Sequence, residues 1–501
     1  MVPQHFLARL LPLAASLSLV LCLPLSVMAQ PVAAPDCNAD VELSADGGLK
    51  VSVVYRCRAD TPLTFGTVGQ PATSRVLSFT DATGKPLTSS SNAWWVEPVN
   101  GLVEAHYSMD LLGYAQQINN PTMAIARGDG VYTLLEAWLL EPRGFKSAPV
   151  IDIRVKAAEG LSFATGLPKV GDAWRLSGTV VRFAGYSALG KFALETVAVP
   201  MPGSLRPNLQ KEGQAHPEGV LRVAMFEGFS EQGRADLLDW VKRTAEAESN
   251  YWQGFTAPQL LLGLVPMEGR KGVGFGRTVP GGGASVMIEV GMEVDKKRLF
   301  NEWVLVHELI HTGMPYINGR GTWLMEGAAT YVEPVIRARA GWKTEAEVWK
   351  EWVDSMPRGA PVFGVGLANA EGNQNYWGGA IFMLMADIGI RRATKGAKGL
   401  EDCLGGVLWS GHDAMTRMNI KDFAQSCDRA VQSDVVSTLV DRHLLKQNPV
   451  DLNQMWKDLG VAEVNGRITL DDKAPQAEWR KMIVMGPSAK SLKPVKLPWQ
   501  S

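Results

Sequence analysis

Two histidines and two glutamates near the middle of the chain have the types and spacing of a metal-dependent hydrolytic site. On a helix, His307 and His311 lie one turn apart, so both imidazoles share one face. Two imidazole nitrogens at that spacing can bind one Zn²⁺ at about 2.0–2.1 Å. Glu308 follows the first histidine and can take a proton from water without binding the metal itself. This segment therefore predicts two zinc ligands and a general base.

A catalytic zinc needs a third protein ligand and one open position. Glu326 is that ligand if a second helix packs against the first, after the break at Gly313 and Pro315. The alternative is a buried helix whose two histidines form hydrogen bonds within the core. Only seven histidines occur in 501 residues, and the downstream glutamate favours the metal site. We expect Asp295 to cap the metal-binding helix.

These segments resemble the gluzincin metallopeptidases. The matching residues are His307-Glu-Leu-Ile-His311 and Trp323-Leu-Met-Glu326-Gly-Ala-Ala-Thr-Tyr-Val-Glu, and in that group the glutamate of the second segment is the third ligand. The run that begins Tyr376-Trp-Gly-Gly-Ala-Ile-Phe resembles peptidase family M61 (glycyl aminopeptidase-like), and the M1 aminopeptidases show a looser version. The resemblance covers roughly residues 218–480.

The resemblance implies a catalytic role for Tyr376, since the matching family tyrosine hydrogen-bonds the oxyanion of the tetrahedral intermediate. The alternative is a packed tyrosine whose hydroxyl donates to a backbone carbonyl. The families also carry a glutamate in a Gly-rich motif that holds the free amino terminus of the substrate. Gly281–Ser285 contains no acidic residue, and the next one is Glu289. The sequence therefore favours an endopeptidase over an aminopeptidase, in which Glu289 or an N-terminal domain residue would have to hold the amine.

The N-terminal segment, residues 1–29, has the composition of a signal peptide. Arg9 precedes an apolar run, and Val27-Met28-Ala29 is a small-residue cleavage site. A transmembrane anchor is the alternative, although prolines interrupt the run. We expect an exported protein, periplasmic or secreted, with no membrane span after cleavage.

Four cysteines remain after this segment. An even count in an exported chain favours disulfides, and we expect the pairs Cys37–Cys57 and Cys403–Cys427 among the three possible connectivities. The formal net charge of −1 gives no electrostatic support for binding nucleic acid.

The hydrophobic patterns predict an α+β fold in three parts. Residues 30–205 contain short, partly alternating runs between turn residues and predict a β-sandwich-like domain, followed by a linker over 199–217. Residues 218–345 predict a zincin-like catalytic subdomain in which 272–290 form a loop and edge strand along a cleft. Residues 346–501 predict a mainly helical part.

The combined expectation is an exported metallopeptidase with one Zn²⁺ that hydrolyses peptides or unfolded proteins. In it, His307, His311 and Glu326 hold the metal, Glu308 is the base, and Tyr376 stabilises the oxyanion. An aminopeptidase is one alternative. A non-catalytic binding or assembly protein that keeps zinc for stability is another, although a structural site has no use for Glu308. The oligomeric state stays open.

Overall fold

The computed structural model describes residues 34–67, 74–200 and 218–486. The predicted signal peptide over 1–29 and most of the predicted linker lie outside these ranges. Within them, no helix combines the length and the apolar content that crossing a bilayer requires.

The first part of the described chain is β-rich, with one short helix, α1 (Leu111–Ile118). Its strands are β1 (Cys37–Ser44), β2 (Lys50–Arg58), β3 (Leu63–Gly66), β4 (Val76–Asp81), β5 (Ala93–Val96), β6 (Leu102–Asp110), β7 (Ala124–Arg127), β8 (Gly130–Leu134), β9 (Glu141–Arg143), β10 (Ile151–Ala157), β11 (Ser162–Thr165), β12 (Lys169–Val170), β13 (Ala173–Leu176) and β14 (Tyr186–Gly190). They form sheets in the orders β12-β13-β10-β1-β2-β6-β4, β11-β14-β8-β7 and β5-β3-β9.

Alternating side chains on β1 and β2 face a core shared by these sheets. Cys37 lies directly opposite Cys57 in the antiparallel register, and the two form the predicted disulfide. Aromatic rings fill the core between the sheets, and the Phe79 and Trp94 rings stack at 4.8 Å. The β-rich character predicted for this part of the chain is confirmed.

The predicted catalytic subdomain is built on a second, mixed sheet, which is called the catalytic sheet below. Its strands are β15 (Ala193–Pro200), β16 (Glu218–Met225), β17 (Gln259–Met267), β18 (Val273–Val279) and β19 (Ala284–Gly291), in the order β15-β16-β17-β19-β18. The central strands β16, β17 and β19 run parallel, and helix α2 (Glu231–Trp252) follows β16. Ser230 caps this helix by accepting a hydrogen bond from the Gly233 backbone N–H at 3.0 Å. The sequence predicts a loop and one edge strand over 272–290. β18 is an edge strand, but Ala284–Gly291 form a second strand, β19, which lies inside the sheet between β17 and β18.

Strand β15 differs from the sequence-based division of the chain. The pattern placed residues up to 205 in the N-terminal domain, but β15 pairs antiparallel with β16 over its whole length, from Ala193 to Pro200. The strand therefore belongs to the catalytic sheet. The prolines and glycines that suggested a domain boundary begin only at the end of this strand. The sequence therefore placed the boundary after β15, although the strand belongs with the sheet that follows.

The N-terminal domain packs on one face of the catalytic sheet. The Tyr132 hydroxyl donates to the Val286 carbonyl at 2.8 Å, and the Tyr186 backbone N–H donates to Ser285 Oγ at 2.9 Å. Gly263 in the middle of β17 makes room for the Tyr132 ring, since a Cβ there would lie 2.5 Å from the ring. The domain thus contacts the same sheet that borders the cleft.

Two helices follow the sheet and carry the candidate metal ligands: α4 (Val304–Thr312) and α5 (Thr322–Arg339), with α3 (Lys296–Asn301) before them. Asp295 caps α3 through a 2.8 Å hydrogen bond from the Arg298 backbone N–H. The expectation that this cap begins the metal-binding helix is wrong, because Glu302 is extended (ψ 141°) and interrupts the helix. Pro334 lies inside α5 without ending it.

The remainder is mainly helical, as predicted. Its helices are α6 (Glu345–Ser355), α7 (Gly379–Ala393), α8 (Leu400–Trp409), α9 (Ile420–Val431), α10 (Val435–His443), α11 (Leu452–Leu459) and α12 (Ala477–Met485). Short strands β20 (Tyr316–Ile317), β21 (Arg417–Met418), β22 (Val461–Val464) and β23 (Arg467–Leu470) pair at the surface. The predicted disulfide Cys403–Cys427 joins α8 to α9.

A buried ion network connects α5, α7 and α8. Arg391 on α7 is fully buried and pairs with Asp387 at 2.9 Å and with Glu401 on α8 at 2.8 Å. The Tyr331 hydroxyl of α5 donates to Asp387 at 2.9 Å. Because removing one partner would leave a buried charge uncompensated, the network fixes how α7 and α8 sit beside α5.

Candidate metal centre and catalytic cleft

Three donor atoms from α4 and α5 converge at the base of a cleft. Nε2 of His307 lies 3.3 Å from Nε2 of His311 and 3.3 Å from Oε2 of Glu326. The third side of the triangle, from His311 Nε2 to the same oxygen, is 3.5 Å. Tetrahedral ligands at 2.0–2.1 Å from a zinc ion lie about 3.3–3.4 Å from one another. The three side chains therefore fit one Zn²⁺ without further movement.

The local sequence explains how the two helices meet. All of α4 except His311 is buried, so the helix lies inside the subdomain with its histidine-bearing face toward α5. Gly313 ends α4 against the Trp252 ring, where a Cβ would lie 3.0 Å from the indole. The chain then reverses, and α5 begins after Gly321 with Glu326 in its second turn.

The charges within the triangle favour a bound cation. Burial alone would raise the pKa of Glu326, but the contacts with His307 and His311 hold that pKa well below its usual range. Burial opposes a charge on His311, yet Glu326 raises the pKa of this imidazole above its ordinary value. The carboxylate thus stays ionised between two imidazoles, which is the donor set that zinc prefers.

Glu308 points from α4 toward the edge strand β18. Its side chain is buried, and Oε2 lies 2.8 Å from the Thr278 hydroxyl. Gly276, two residues earlier on β18, permits this approach, since a Cβ there would lie 2.7 Å from Glu308 Cγ. The same hydroxyl lies 2.7 Å from the Glu308 backbone carbonyl oxygen, so Thr278 contacts both the backbone and the carboxylate of the candidate base. Sequence reasoning missed Thr278, and its only signal was a hydroxyl on the strand predicted to border the cleft.

Tyr376 lies at the cleft beside the metal ligands. Its ring centroid is 6.2 Å from that of His307, and its side chain is 38% exposed. In the described part of the chain, its hydroxyl forms no hydrogen bond with a backbone carbonyl, so the packed-tyrosine alternative does not describe it. The residue belongs to a π-helical turn, Gln374–Gly378, that leads into α7.

Two glycines set the distance between the tyrosine and the ligands. A Cβ on Gly327, next to Glu326, would lie 2.3 Å from the Gly379 backbone. A Cβ on Gly379 would in turn lie 2.0 Å from the Trp323 carbonyl oxygen. The backbones of α5 and α7 therefore touch at this crossing, which brings Tyr376 to the metal site.

The cleft has a volume of about 1000 Å³ and runs between β18 and the helices. Gly274–Thr278 form its strand side, and exposed Phe275 and Trp303 lie at its mouth. The described residues that line it include all of the predicted site residues: His307, Glu308, His311, Glu326 and Tyr376.

The glycine loop Gly281–Ser285 lies elsewhere. A Cβ on Gly283 would lie 2.1 Å from the Gly166 carbonyl oxygen, so the loop packs on the N-terminal domain. The expectation that this loop borders the cleft is wrong, although the expectation for the edge strand is right. Glu289, the acid considered for holding a substrate amine, is not among the described residues that line the cleft.

Solved structures of similar fold are peptidases. The chain superposes on an aminopeptidase N family protein from Idiomarina loihiensis with a TM-score of 0.60 and 14% identity, covering 85% of this chain and 78% of that one. It also superposes on an M1 zinc metallopeptidase from Deinococcus radiodurans with a TM-score of 0.50 and 12% identity, over 83% and 94% of the two chains. No protein-family model and no curated protein matches the sequence. At these identities the similarity shows a shared fold.

Removing one ligand should release the metal. We expect the protein to hold about one zinc per chain and His307→Ala to lose it, because two remaining donors cannot form a catalytic zinc site. Elemental analysis of the purified proteins measures this. His412→Ala is the control, since it removes a histidine outside the triangle. Equal zinc in wild type and His307→Ala would contradict the assignment.

Proposed function

We propose that this protein is an exported zinc-dependent metallopeptidase. The observation that carries the proposal is the triangle of His307, His311 and Glu326 donor atoms with sides of 3.3, 3.3 and 3.5 Å. The fold shared with an M1 zinc metallopeptidase and the M61-like run at Tyr376 support the same conclusion. The apolar leader and the two disulfides support export to an oxidising compartment.

The bound zinc would act as a Lewis acid that polarises the scissile carbonyl and activates water. Glu308 removes a proton from the attacking water at Oε2 and delivers it to the leaving amine. The Thr278 hydroxyl holds that carboxylate in place at 2.8 Å. The Tyr376 hydroxyl donates a hydrogen bond to the oxyanion as the carbonyl becomes tetrahedral. The chain thus supplies base, acid and oxyanion donor around one carbonyl.

The substrate that suits this cleft is an extended peptide or an unfolded protein segment. The free edge of β18 offers backbone donors and acceptors to a peptide that lies beside it. Phe275, Trp303 and Tyr376 are each partly exposed along the cleft and supply apolar contacts for side chains. The volume of about 1000 Å³ accommodates several residues of such a peptide.

We propose endopeptidase activity over aminopeptidase activity. An aminopeptidase needs a free carboxylate for the substrate amine, and the cleft carboxylates outside the catalytic pair already have cationic partners. Glu333 pairs with Arg337 at 2.7 Å, and Glu351 pairs with Lys343. The aminopeptidase alternative has its support in the fold shared with an aminopeptidase N family protein. In that case the amine would have to displace Lys343 or Arg337.

The non-catalytic alternative explains the cleft less well. A zinc kept only for stability needs no buried carboxylate held by a hydroxyl beside the metal triangle. Glu308 and Thr278 form that arrangement. Glu308 is 8% exposed, so its position carries a desolvation cost that catalysis explains.

Removing the proposed general base, Glu308, should abolish most of the hydrolysis and leave zinc binding intact. Glu308→Gln keeps the size and polarity of the side chain but cannot accept a proton, so we expect peptide hydrolysis to fall by about 10²–10⁴-fold. Zinc content should stay at the wild-type level, because Glu308 is not a ligand. Cleavage of a fluorogenic peptide, with elemental analysis in parallel, measures both. Exposed Glu293→Gln is the control, and full activity in Glu308→Gln would remove the proposed mechanism.

The oxyanion role of Tyr376 predicts a loss in kcat. Tyr376→Phe removes one hydroxyl, and we expect kcat to fall by about 10²–10³-fold while KM changes little, since the hydrogen bond strengthens in the transition state. Steady-state kinetics on one peptide measures the two constants. Tyr316 is a matched control, because it is similarly exposed (41% against 38%) and does not line the cleft. An unchanged kcat in Tyr376→Phe would exclude the role.

Blocked and free peptides distinguish the two peptidase classes. We expect an N-acetylated peptide to be cleaved at an internal bond about as fast as the same peptide with a free amine. Apart from Glu308 and Glu326, each carboxylate among the described residues that line the cleft has a cationic partner. Mass spectrometry of the products identifies the bond. Strict dependence on a free amine would instead establish the aminopeptidase alternative.

A further inference from the structure

The strand side of the cleft carries one cation, Arg277. It is the only lysine or arginine among the described residues that line the cleft. Its side chain is half-buried, and Nη1 donates to the Thr122 carbonyl at 2.7 Å. The Tyr186 hydroxyl lies 3.3 Å from the same carbonyl. The N-terminal domain thus holds this guanidinium in a fixed position at the cleft.

Each carboxylate that lines the cleft has a partner other than Arg277. Glu326 lies between the two histidines, and Glu308 meets Thr278. On the helical side, Glu333 and Glu351 have their own arginine and lysine. Arg277 itself forms no ion pair with any residue of the described chain. Its positive charge therefore faces the cleft without a paired anion.

One further acid lies within electrostatic range of Arg277 but does not neutralise it. Glu136 is 9% exposed, and its Oε2 has no hydrogen-bond partner among the described residues. Burial raises the pKa of Glu136 to about 7, with Arg182 and Arg277 acting in the opposite sense. Glu136 forms no ion pair with Arg277 within the described chain, so it leaves the guanidinium available to another anion.

We propose that Arg277 binds a carboxylate of the peptide substrate and makes the enzyme selective for acidic peptides. The inference rests on the proposed peptidase function and specifies its substrate class. A guanidinium held by one nitrogen still presents further N–H donors, and it binds a carboxylate through charge-assisted hydrogen bonds. An ammonium group in the same place would be repelled, which also fits the absence of an unpaired carboxylate for a free amine.

The carboxylate has two chemical sources, an acidic side chain or a free C-terminus, and the wild-type protein distinguishes them. The first set of peptides is blocked at both ends and carries Glu or Gln at one position at a time. The second set compares a free C-terminal acid with its amide. We expect one set to show a preference for the carboxylate of about ten- to a hundredfold in kcat/KM, the size expected for a hydrogen bond to a charged group. No preference in either set overturns the proposal.

Substitution of Arg277 tests whether this residue is responsible for the preference for a negatively charged substrate. We expect Arg277→Gln to reduce the acid-to-amide ratio of kcat/KM to about one, and Arg277→Lys to keep part of the preference because the charge remains. Arg298→Gln is the control, since it removes an exposed arginine that does not line the cleft. If Arg277→Gln slows cleavage of the acidic peptide and of its amide equally, the arginine has only a structural role at the cleft and the proposal fails.

The outcomes of the two proposals are separable. Zinc content verifies that each variant has folded around the metal. Hydrolysis that chelation and Glu308→Gln leave unchanged contradicts the peptidase itself. Hydrolysis that depends on both but ignores the charge of the substrate contradicts only the role of Arg277. If Arg277→Gln does not fold, Arg277→Lys takes its place in the comparison, and a wild-type protein without a carboxylate preference still overturns the proposal.

Discussion

The catalytic half of the molecule depends on keeping three lone-pair donors within 3.5 Å of one another in a largely buried place. Such donors repel one another unless a cation or protons lie between them. The arrangement therefore persists only if two helices are held rigidly against this repulsion. Most of the surrounding architecture is explained by that requirement.

The support comes from two directions. Beneath the ligands, buried α4 packs against the edge strand β18 and its neighbour β19 in the catalytic sheet. Behind them, Tyr331, Asp387, Arg391 and Glu401 connect α5 to α7 and α8 through a buried hydrogen-bonded network. Breaking one buried pair of this kind costs about 3–5 kcal/mol. A low-dielectric interior also strengthens each contact with the reacting groups, so the same packing serves both stability and chemistry.

The sequence predicts the metal ligands better than it predicts the other residues that line the cleft. His307 and His311 are readable because helical spacing places them on one face, and Glu326 is readable because its segment resembles the third-ligand segment of the gluzincins. Thr278 and Arg277 are not, because their importance arises from the approach of an edge strand to a helix and to the N-terminal domain. The same limit explains the error at Gly281–Ser285: several glycines in a row indicate close backbone contact but not what is contacted.

The touching backbones at Gly327 and Gly379 have a consequence for how the cleft of this protein can diversify. A ligand-bearing helix and the tyrosine-bearing turn share one contact with no side chain between them. Substitution of either glycine cannot adjust the distance between the helix and the turn in small steps. Even the methyl group of alanine would lie within 2.3 Å of the facing backbone and push the two elements apart. New specificities are therefore expected on the opposite side of the cleft, where β18 carries exposed Phe275 and half-buried Arg277 and is the edge strand of the described sheet. The geometry of the helix side, which carries the metal ligands and Tyr376, is thus fixed by backbone contact. The strand side can change its side chains, and with them the substrates that the cleft binds.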